Sequence, residues 1–113
     1  MVSKALVAAS TKPLVLAILR NGENYGYQII QSVRLLAGGR LEWSEPMLYP
    51  LLKRMEREGL IQSEWKLNEN KRLRRYFRLT EKGLQEQERE AADWTLINDL
   101  FVRLVKTGPL PEI

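Results

Sequence analysis

Residues 48–61, LYPLLKRMEREGLI, carry the clearest structural pattern in this chain. Their apolar side chains recur at the spacing of one helical face, and the run ends at Gly59, a residue type that commonly terminates helices. An apolar strand follows at once, and a second strand, residues 73–80, comes after a polar turn rich in Lys and Arg. Helix, strand, charged tip and strand in this order predict a winged helix-turn-helix. The apolar residues expected to face inward from the helix are Leu48, Leu51, Leu52 and Met55.

The segments before this stretch predict two more helices. Residues 4–20 carry apolar side chains at helical spacing. Proline is tolerated only in a first turn or at a kink, so Pro13 has two explanations. Either Ser10 or Thr11 caps a new helix, or one long helix bends. We favour two segments with a bend between them, and we expect the second helix to end near Leu36.

The remaining segments complete the predicted fold, which is mostly α with a small antiparallel sheet. Residues 41–43 are expected to form a short third strand, and Ser44 is expected to cap the following helix. Thr80 is expected to cap a long last helix. We predict a winged helix-turn-helix over residues 1–80, a long C-terminal helix over residues 81–106 and a loose tail over residues 107–113.

Composition excludes several classes of function. A chain of 113 residues has room for one core, and the absence of Cys fits a reducing cytoplasm and rules out disulfides. The absence of His and Cys removes the usual ligands of zinc and the common acid–base and thiol chemistries. A metal held only by carboxylates stays possible, but no ligand spacing indicates one, and we expect no metal, no cofactor and no enzymatic activity. The apolar run near the N-terminus is too short for a signal peptide, and no stretch approaches a membrane span, so we expect a cytoplasmic protein.

Positive charge is concentrated in one segment. Residues 66–82 contain seven Lys or Arg against Glu69 and Glu81, a net charge of +5, whereas the whole chain carries +4. A basic segment on a nearly neutral body is typical of a surface that binds a polyanion. The alternative is a solvated hairpin whose charges only prevent edge-to-edge pairing. We favour DNA as the partner.

Four segments together resemble the PadR family of bacterial transcriptional regulators, in the family's order and spacing. The resemblance extends over roughly residues 12 to 105. It implies a winged-helix repressor that binds double-stranded operator DNA as a homodimer, held together by the last helix. A ligand or signal would release the DNA by changing the spacing of the two recognition helices. The segments are residues 25–30 (YGYQII), 48–54 (LYPLLKR), 58–61 (EGLI) and 74–83 (RRYFRLTEKG).

The resemblance identifies the helix after Ser44 as the recognition helix and the hairpin as the wing. Tyr49 could instead pack against the core with only its edge in water. The chain departs from the family at Pro46, where Gly or Ala is usual, and at Met47, where a small hydroxyl residue is usual. Met cannot hydrogen-bond a phosphate or a base edge, although it can touch a thymine methyl, so we predict phosphate contacts rather than a particular base readout. The expected DNA contacts are Ser44, Met47, Tyr49, Lys53, Arg54, Lys71, Arg72, Arg74 and Arg75.

The second half of the last helix is apolar on more than one face, which one neighbouring surface cannot cover. This pattern indicates a partner chain, in agreement with the family's mode of dimerisation. The alternative is that the first helix covers the extra face within one monomer. The expected dimer contacts are Leu6, Ile97, Leu100, Phe101 and Leu104.

Trp94 lies at the centre of this helix. In the multidrug-sensing short branch of the PadR family, a Trp here faces its symmetry mate across a pore in which flat aromatic compounds stack. The resemblance implies a site for a planar aromatic ligand, formed by Trp94, Ala91, Asn98, Ala9 and Pro13. Members that bind cations can carry a carboxylate where this chain has Asn98. The alternative is that Trp94 only packs the dimer interface.

A rival hypothesis is a winged-helix module that binds protein without sequence-specific DNA binding. The basic wing disfavours it, and a steep salt dependence of DNA binding would distinguish the two. The operator, the regulated genes and the inducer do not follow from the sequence.

Overall fold

A computed structural model of the chain describes residues 2–108, 110 and 112. These residues form a mostly helical fold with a small antiparallel sheet, as predicted, and the chain ends in a long helix. The elements in chain order are α1 (Lys4–Arg20), β1 (Asn24–Tyr25), α2 (Gly26–Leu36), α3 (Glu45–Arg57), β2 (Ile61–Leu67), β3 (Leu73–Leu79) and α4 (Glu81–Thr107).

The sheet has the strand order β1-β3-β2, and both pairings are antiparallel. Strands β2 and β3 are in register from Ile61 opposite Leu79 to Leu67 opposite Leu73. With the turn over residues 68–72 they form the wing. Because the short strand β1 pairs with β3, it places Tyr25 opposite Tyr76 and fixes the start of α2 against the wing.

The third strand is not the one predicted. Residues 41–43 form no strand, and the third strand is β1, which lies between α1 and α2. The physical reason lies in Trp43, whose side chain is 4% exposed and belongs to the core cluster. Burial of this large ring determines the path of the segment, whereas β1 pairs only two residues, too few to show a periodic pattern.

Helix α1 is continuous through Pro13, so the predicted division into two segments was wrong. Ser10 and Thr11 do not cap a new helix. The Ser10 hydroxyl donates to the carbonyl oxygen of Leu6 at 2.7 Å, and that of Thr11 to Val7 at 2.6 Å. Both hydroxyls thus bond within the preceding turn, which continues the helix instead of starting another.

The core lies between the first three helices and the inner end of the sheet. Its largest fully buried side chains include Leu16 from α1, Ile29 from α2 and Leu52 from α3. The outer half of the wing extends beyond this core, and Trp65 and Leu73 there are exposed. The wing is therefore a projecting hairpin attached to the core at its base, where Ile61 and Phe77 are buried.

Helix α4 begins at the core and then leaves it. Thr80 caps it by accepting a hydrogen bond from the Gly83 N–H at 3.0 Å, and its first turns pack against α1. All its residues from Ala91 to Thr107, 17 of the 27 in the helix, are exposed, so the second half of the helix projects from the body. The Cα radius of gyration is 16.6 Å, whereas a compact domain of this length would have about 13 Å.

The last helix is one residue longer than predicted, since Thr107 is helical and Gly108 follows it as the C-cap. Residues 109, 111 and 113 of the predicted tail lie outside the described residues. In the part of the chain that the structure describes, every helix is too short or too polar to cross a membrane.

Candidate nucleic-acid interface

Helix α3 presents its N-terminal half to solvent beside the wing. Its start is set by Ser44, whose hydroxyl accepts a hydrogen bond from the Met47 N–H at 3.3 Å, and by Pro46, which needs no partner for a missing N–H. Leu48 and Leu52 are buried in the core and Leu51 packs against it, whereas Tyr49 and Pro50 between them are exposed. Met47 is only half-buried and packs against the core, so less of it is available for DNA than of its neighbours.

The predicted DNA contacts include four exposed cations that the fold leaves without an ion pair. Within the described residues, none of the four has a carboxylate oxygen within 4.0 Å. An unpaired exposed cation keeps its full charge for an external anion. Two of them lie on α3 and two in the wing turn: Lys53, Arg54, Lys71 and Arg72.

The turn that carries the wing cations is well defined. The side-chain oxygen of Asn68 accepts hydrogen bonds from the backbone N–H groups of Asn70 and Arg72, both at 2.9 Å. The backbone of Asn68 also bonds Lys71 and Arg72 at 2.9 Å. Lys71 is held in the left-handed region, with φ of 59°. The polar turn residues thus fix the backbone that presents both charges.

Arg75, one of the predicted DNA contacts, pairs with side chains of the chain itself. Its guanidinium donates to the Glu56 carboxylate at 2.9 Å and to the Ser63 hydroxyl at 2.9 Å, and Ser63 donates to Glu56 at 2.6 Å. This closed network joins the C-terminal half of α3 to the sheet. Arg75 therefore fixes the wing relative to α3, and much of its charge is already paired.

The Tyr49 side chain is both packed and accessible, so the two roles considered for it from the sequence, core packing and a DNA contact, are compatible. Its side chain packs against Gly26, where an added Cβ would lie 2.7 Å from the tyrosine hydroxyl oxygen, yet the residue is 37% exposed. Partial burial, followed by the charge of Glu45, raises the pKa of the Tyr49 hydroxyl above 10.0, although Arg74 acts in the opposite direction. The hydroxyl therefore keeps its proton at neutral pH and can donate it in a hydrogen bond to an anion.

Sequence reasoning missed two tyrosines next to the wing. The guanidinium carbon of Arg74 lies 5.4 Å from the ring centroid of Tyr25 and 5.8 Å from that of Tyr27. Both tyrosines belong to the segment YGYQII that carried the family resemblance, but the sequence did not connect them with the wing. That connection exists because β1 pairs with β3.

The residues predicted for a planar ligand are only partly brought together. Of these, Trp94, Ala91 and Pro13 line one groove of about 490 Å³ between α1 and α4, together with Leu6, a predicted dimer contact, and the walls of the groove are almost entirely apolar. We call it the α1–α4 groove. The remaining predicted residues, Ala9 and Asn98, are exposed and do not line it. Groove residues that the sequence did not predict include Leu14, Ala17, Leu41 and Thr95.

The predicted dimer contacts are exposed in the single chain. The exposed fraction is 47% for Leu100 and 67% for Phe101, both on the projecting part of α4. The other three are also exposed, so the described part of the chain does not cover this apolar surface. They are Leu6, Ile97 and Leu104.

Comparisons with known proteins agree with this fold. The sequence profile of the "Transcriptional regulator PadR-like family" matches residues 15–89. The crystal structure of a PadR-like transcriptional regulator from Bacillus cereus is 26% identical, with a TM-score of 0.81 over 91% of this chain and 98% of that one. A PadR family transcriptional regulator from Eggerthella lenta is 34% identical, with a TM-score of 0.71 over 92% and 88%. An uncharacterised protein of Lysinibacillus sphaericus is 26% identical over 105 residues, 90% of this chain and 96% of that protein.

Proposed function

Because this chain belongs to the PadR-like family of transcriptional regulators, we propose that it is a homodimeric repressor that binds double-stranded operator DNA through α3 and the wing. The observation that carries the proposal is the meeting of these two elements. Tyr49 and Lys53 from α3 and Arg74 from the wing line one cleft, and the unpaired cations of the turn lie beyond it.

In this proposal the N-terminal half of α3 enters the major groove. The Tyr49 hydroxyl donates to a phosphate, and Lys53 and Arg54, further along the helix, contact others. The wing turn brings Lys71 and Arg72 to a neighbouring minor groove or to flanking phosphates. Most of the affinity then comes from phosphate contacts and depends on salt.

Dimerisation would place two copies of α3 on one face of the duplex. The support is the projecting part of α4, which exposes Leu100 and Phe101. Apolar surface of this extent on a helix end favours association with a second, identical helix. The spacing of the two recognition helices would then be set by how two α4 helices pack.

The α1–α4 groove supports a second part of the proposal, release of DNA by a planar aromatic ligand. Trp94 offers a stacking face that is 38% exposed, and Ala91, one turn earlier, leaves room beside it. A ligand that fits only one arrangement of the two α4 helices would shift the dimer toward it by the difference in affinity between the states.

The DNA-binding proposal is tested by removing one unpaired cation from each element. We expect Lys53→Ala with Arg72→Ala to weaken binding to any duplex, because both contacts are to phosphate. The slope of log affinity against log salt concentration should flatten by about one unit for each lost contact.

A control variant removes the same charge elsewhere. Arg103→Ala with Lys106→Ala takes two cations from the far end of α4, and its affinity and salt slope should equal those of the wild type. Equal losses in the two double variants would mean that net charge, rather than this surface, attracts DNA. Wild-type binding that does not change with salt would refute the proposal.

A further inference from the structure

Arg74 is held in place by aromatic rings instead of carboxylates. Its guanidinium carbon lies within 6 Å of two ring centroids, 5.4 Å from Tyr25 and 5.8 Å from Tyr27, the range of cation–π attraction. Tyr25 is itself fixed by an edge-to-face contact with Tyr76, with centroids 5.2 Å apart. The arginine is therefore oriented before any ligand binds.

The charge of Arg74 is left uncompensated by this arrangement. Across the residues that the structure describes, no carboxylate oxygen lies within 4.0 Å of its guanidinium, and its Nε is inaccessible to solvent without a hydrogen-bond acceptor. The neighbouring Arg75 differs, because Glu56 pairs with it. Aromatic faces attract a cation without neutralising it, so Arg74 retains its attraction for an anion.

Other donors line the same cleft, which has a volume of about 290 Å³. The Tyr49 hydroxyl and the Lys53 ammonium come from α3, and Arg74 comes from β3. A planar guanidinium, a hydroxyl and an ammonium match the tetrahedral oxygens of a phosphoryl group, which accept several hydrogen bonds at once. The cleft therefore suits a phosphoryl oxyanion.

We propose that Tyr25, Tyr27 and Arg74, with the Tyr49 hydroxyl opposite, form a fixed seat for one backbone phosphate of the bound duplex. The proposal rests on the proposed DNA-binding function and assigns a role within it. Since the seat joins the start of α2, the recognition helix and the wing, one phosphate held there fixes the register of α3 in the groove. Arg72, on the exposed turn, contributes charge without fixing register.

The first experiment compares two arginines that differ only in their surroundings. Arg74→Lys keeps the positive charge but loses the planar fork, and we expect about a tenfold loss of affinity for a duplex selected from a random pool. Arg72→Lys keeps the charge of the exposed turn and should lose less affinity than Arg74→Lys. Tyr27→Leu removes the aromatic ring and should lose more affinity than Tyr27→Phe, which keeps it. Binding by Arg74→Lys within about twofold of the wild type would overturn the proposal.

The second experiment finds the phosphate. Single neutral methylphosphonates are placed along the selected duplex, and affinities are measured for the wild type and for Arg74→Ala. At one position in each half-site, the neutral methylphosphonate should weaken wild-type binding about tenfold. It should not weaken binding by Arg74→Ala, because that substitution has already removed the same contact. Additive losses at every position would overturn the proposal.

Two further results are needed. One distinguishes a DNA phosphate from a free phosphate ion, and the other distinguishes failure of this proposal from failure of the proposed function. Inorganic phosphate, titrated without DNA, should raise the thermal unfolding temperature of the wild type no more than that of Arg74→Ala. A larger rise for the wild type would mean that the cleft binds a free phosphate by itself and would overturn the assignment to DNA. If the wild type binds no duplex even at about 50 mM salt, the proposed function itself fails, whatever Arg74 does.

Discussion

Gly83 lies where α4 starts beneath the loop that follows α3, and this position has no space for a side chain. A Cβ there would overlap the carbonyl oxygen of Leu60 and lie 3.2 Å from a methyl group of Leu79. The Leu60 oxygen cannot move away easily, because it accepts the Thr80 N–H at 3.1 Å. We predict that Gly83→Ala lowers the free energy of unfolding by roughly 3 kcal/mol, measured by urea denaturation.

The sign of this effect is informative, because Ala is ordinarily the better helix former by about 1 kcal/mol. Gln85→Ala, two residues later on the exposed side of the same helix, is the matched control and should change stability by less than about 0.5 kcal/mol. If Gly83→Ala is as stable as this control, the close approach of α4 to Leu60 is not as described.

Arg74 and Arg75 show how far residue roles can be predicted from sequence. The two are adjacent and chemically identical, and the sequence assigned both to DNA. Neighbours on a strand face opposite ways, so one meets Tyr25 and the other meets Glu56. These partners come from β1 and α3, and no pattern in the sequence reveals how those elements pack on β3. Composition identified the basic segment, but only the packing shows which of its arginines pairs with a carboxylate and which does not.

Elements with a strong apolar periodicity were predicted correctly, whereas short segments were not. Helices α3 and α4 and strands β2 and β3 lie close to where the sequence placed them, because each repeats its apolar pattern several times or carries a cap such as Ser44 or Thr80. Strand β1 has two residues, and its pairing depends on the tertiary fold. The effect of Pro13 on α1 was overestimated, because a helix can contain one interior proline when packing and side-chain hydrogen bonds support the turn before it.

The contact between α1 and α4 contains an ion pair that should respond to acid. Lys12 donates to the Glu86 carboxylate at 2.8 Å, and this hydrogen bond lowers the pKa of Glu86 below its ordinary value of 4.5. A carboxyl group whose pKa is lower in the folded state stabilises the fold above the unfolded-state pKa, and this contribution is lost as the pH falls through the folded-state value. We predict that wild-type stability decreases below pH 4.5 more steeply than that of Glu86→Gln.

The measurement is the urea midpoint of both proteins between neutral pH and about pH 3, a range that includes the titration of ordinary carboxyl groups. Every other acid is present in both chains, so the difference between them isolates Glu86. Glu88→Gln is a suitable control, because Glu88 is exposed and its nearest cation, Arg20, is 3.5 Å away. Parallel pH profiles for wild type and Glu86→Gln would contradict the prediction.

The whole molecule is elongated, with extents of 60, 31 and 22 Å, because α4 projects beyond the body. We predict that this projection is the dimer contact and that Leu100→Glu with Phe101→Glu gives folded monomers. Charge placed in an apolar interface must lose its hydration without gaining a partner. Sedimentation should give a mass near 13.2 kDa, and far-ultraviolet circular dichroism should show that the helices remain.

Another exposed apolar pair serves as a control that distinguishes a specific dimer interface from nonspecific hydrophobic association. Leu35 and Leu36 at the end of α2 are 81% and 86% exposed, so their replacement by Glu removes comparable apolar surface from the body of the molecule. That variant should still sediment as a dimer. A folded Leu100→Glu, Phe101→Glu variant that also sediments as a dimer would refute the role of α4.

The α1–α4 groove leads to the last prediction, that a planar dye binds beside Trp94. Stacking on an aromatic face can contribute a few kcal/mol, enough for roughly micromolar affinity after ordering costs are deducted. Trp43→Phe with Trp65→Phe leaves Trp94 as the only indole in the 113 residues, and its fluorescence should be quenched saturably by the dye.

Ala91→Leu is the decisive companion variant in this background, because it keeps the reporter and fills the groove one turn away from it. It should abolish saturable quenching while leaving the emission of Trp94 itself nearly unchanged. The fluorescence polarisation of the dye should also be lower with Trp94→Ala than with the parent, because this substitution removes the stacking face. If the dye quenches the Ala91→Leu variant as strongly as the parent, or stays polarised with Trp94→Ala, it binds elsewhere and the prediction is wrong.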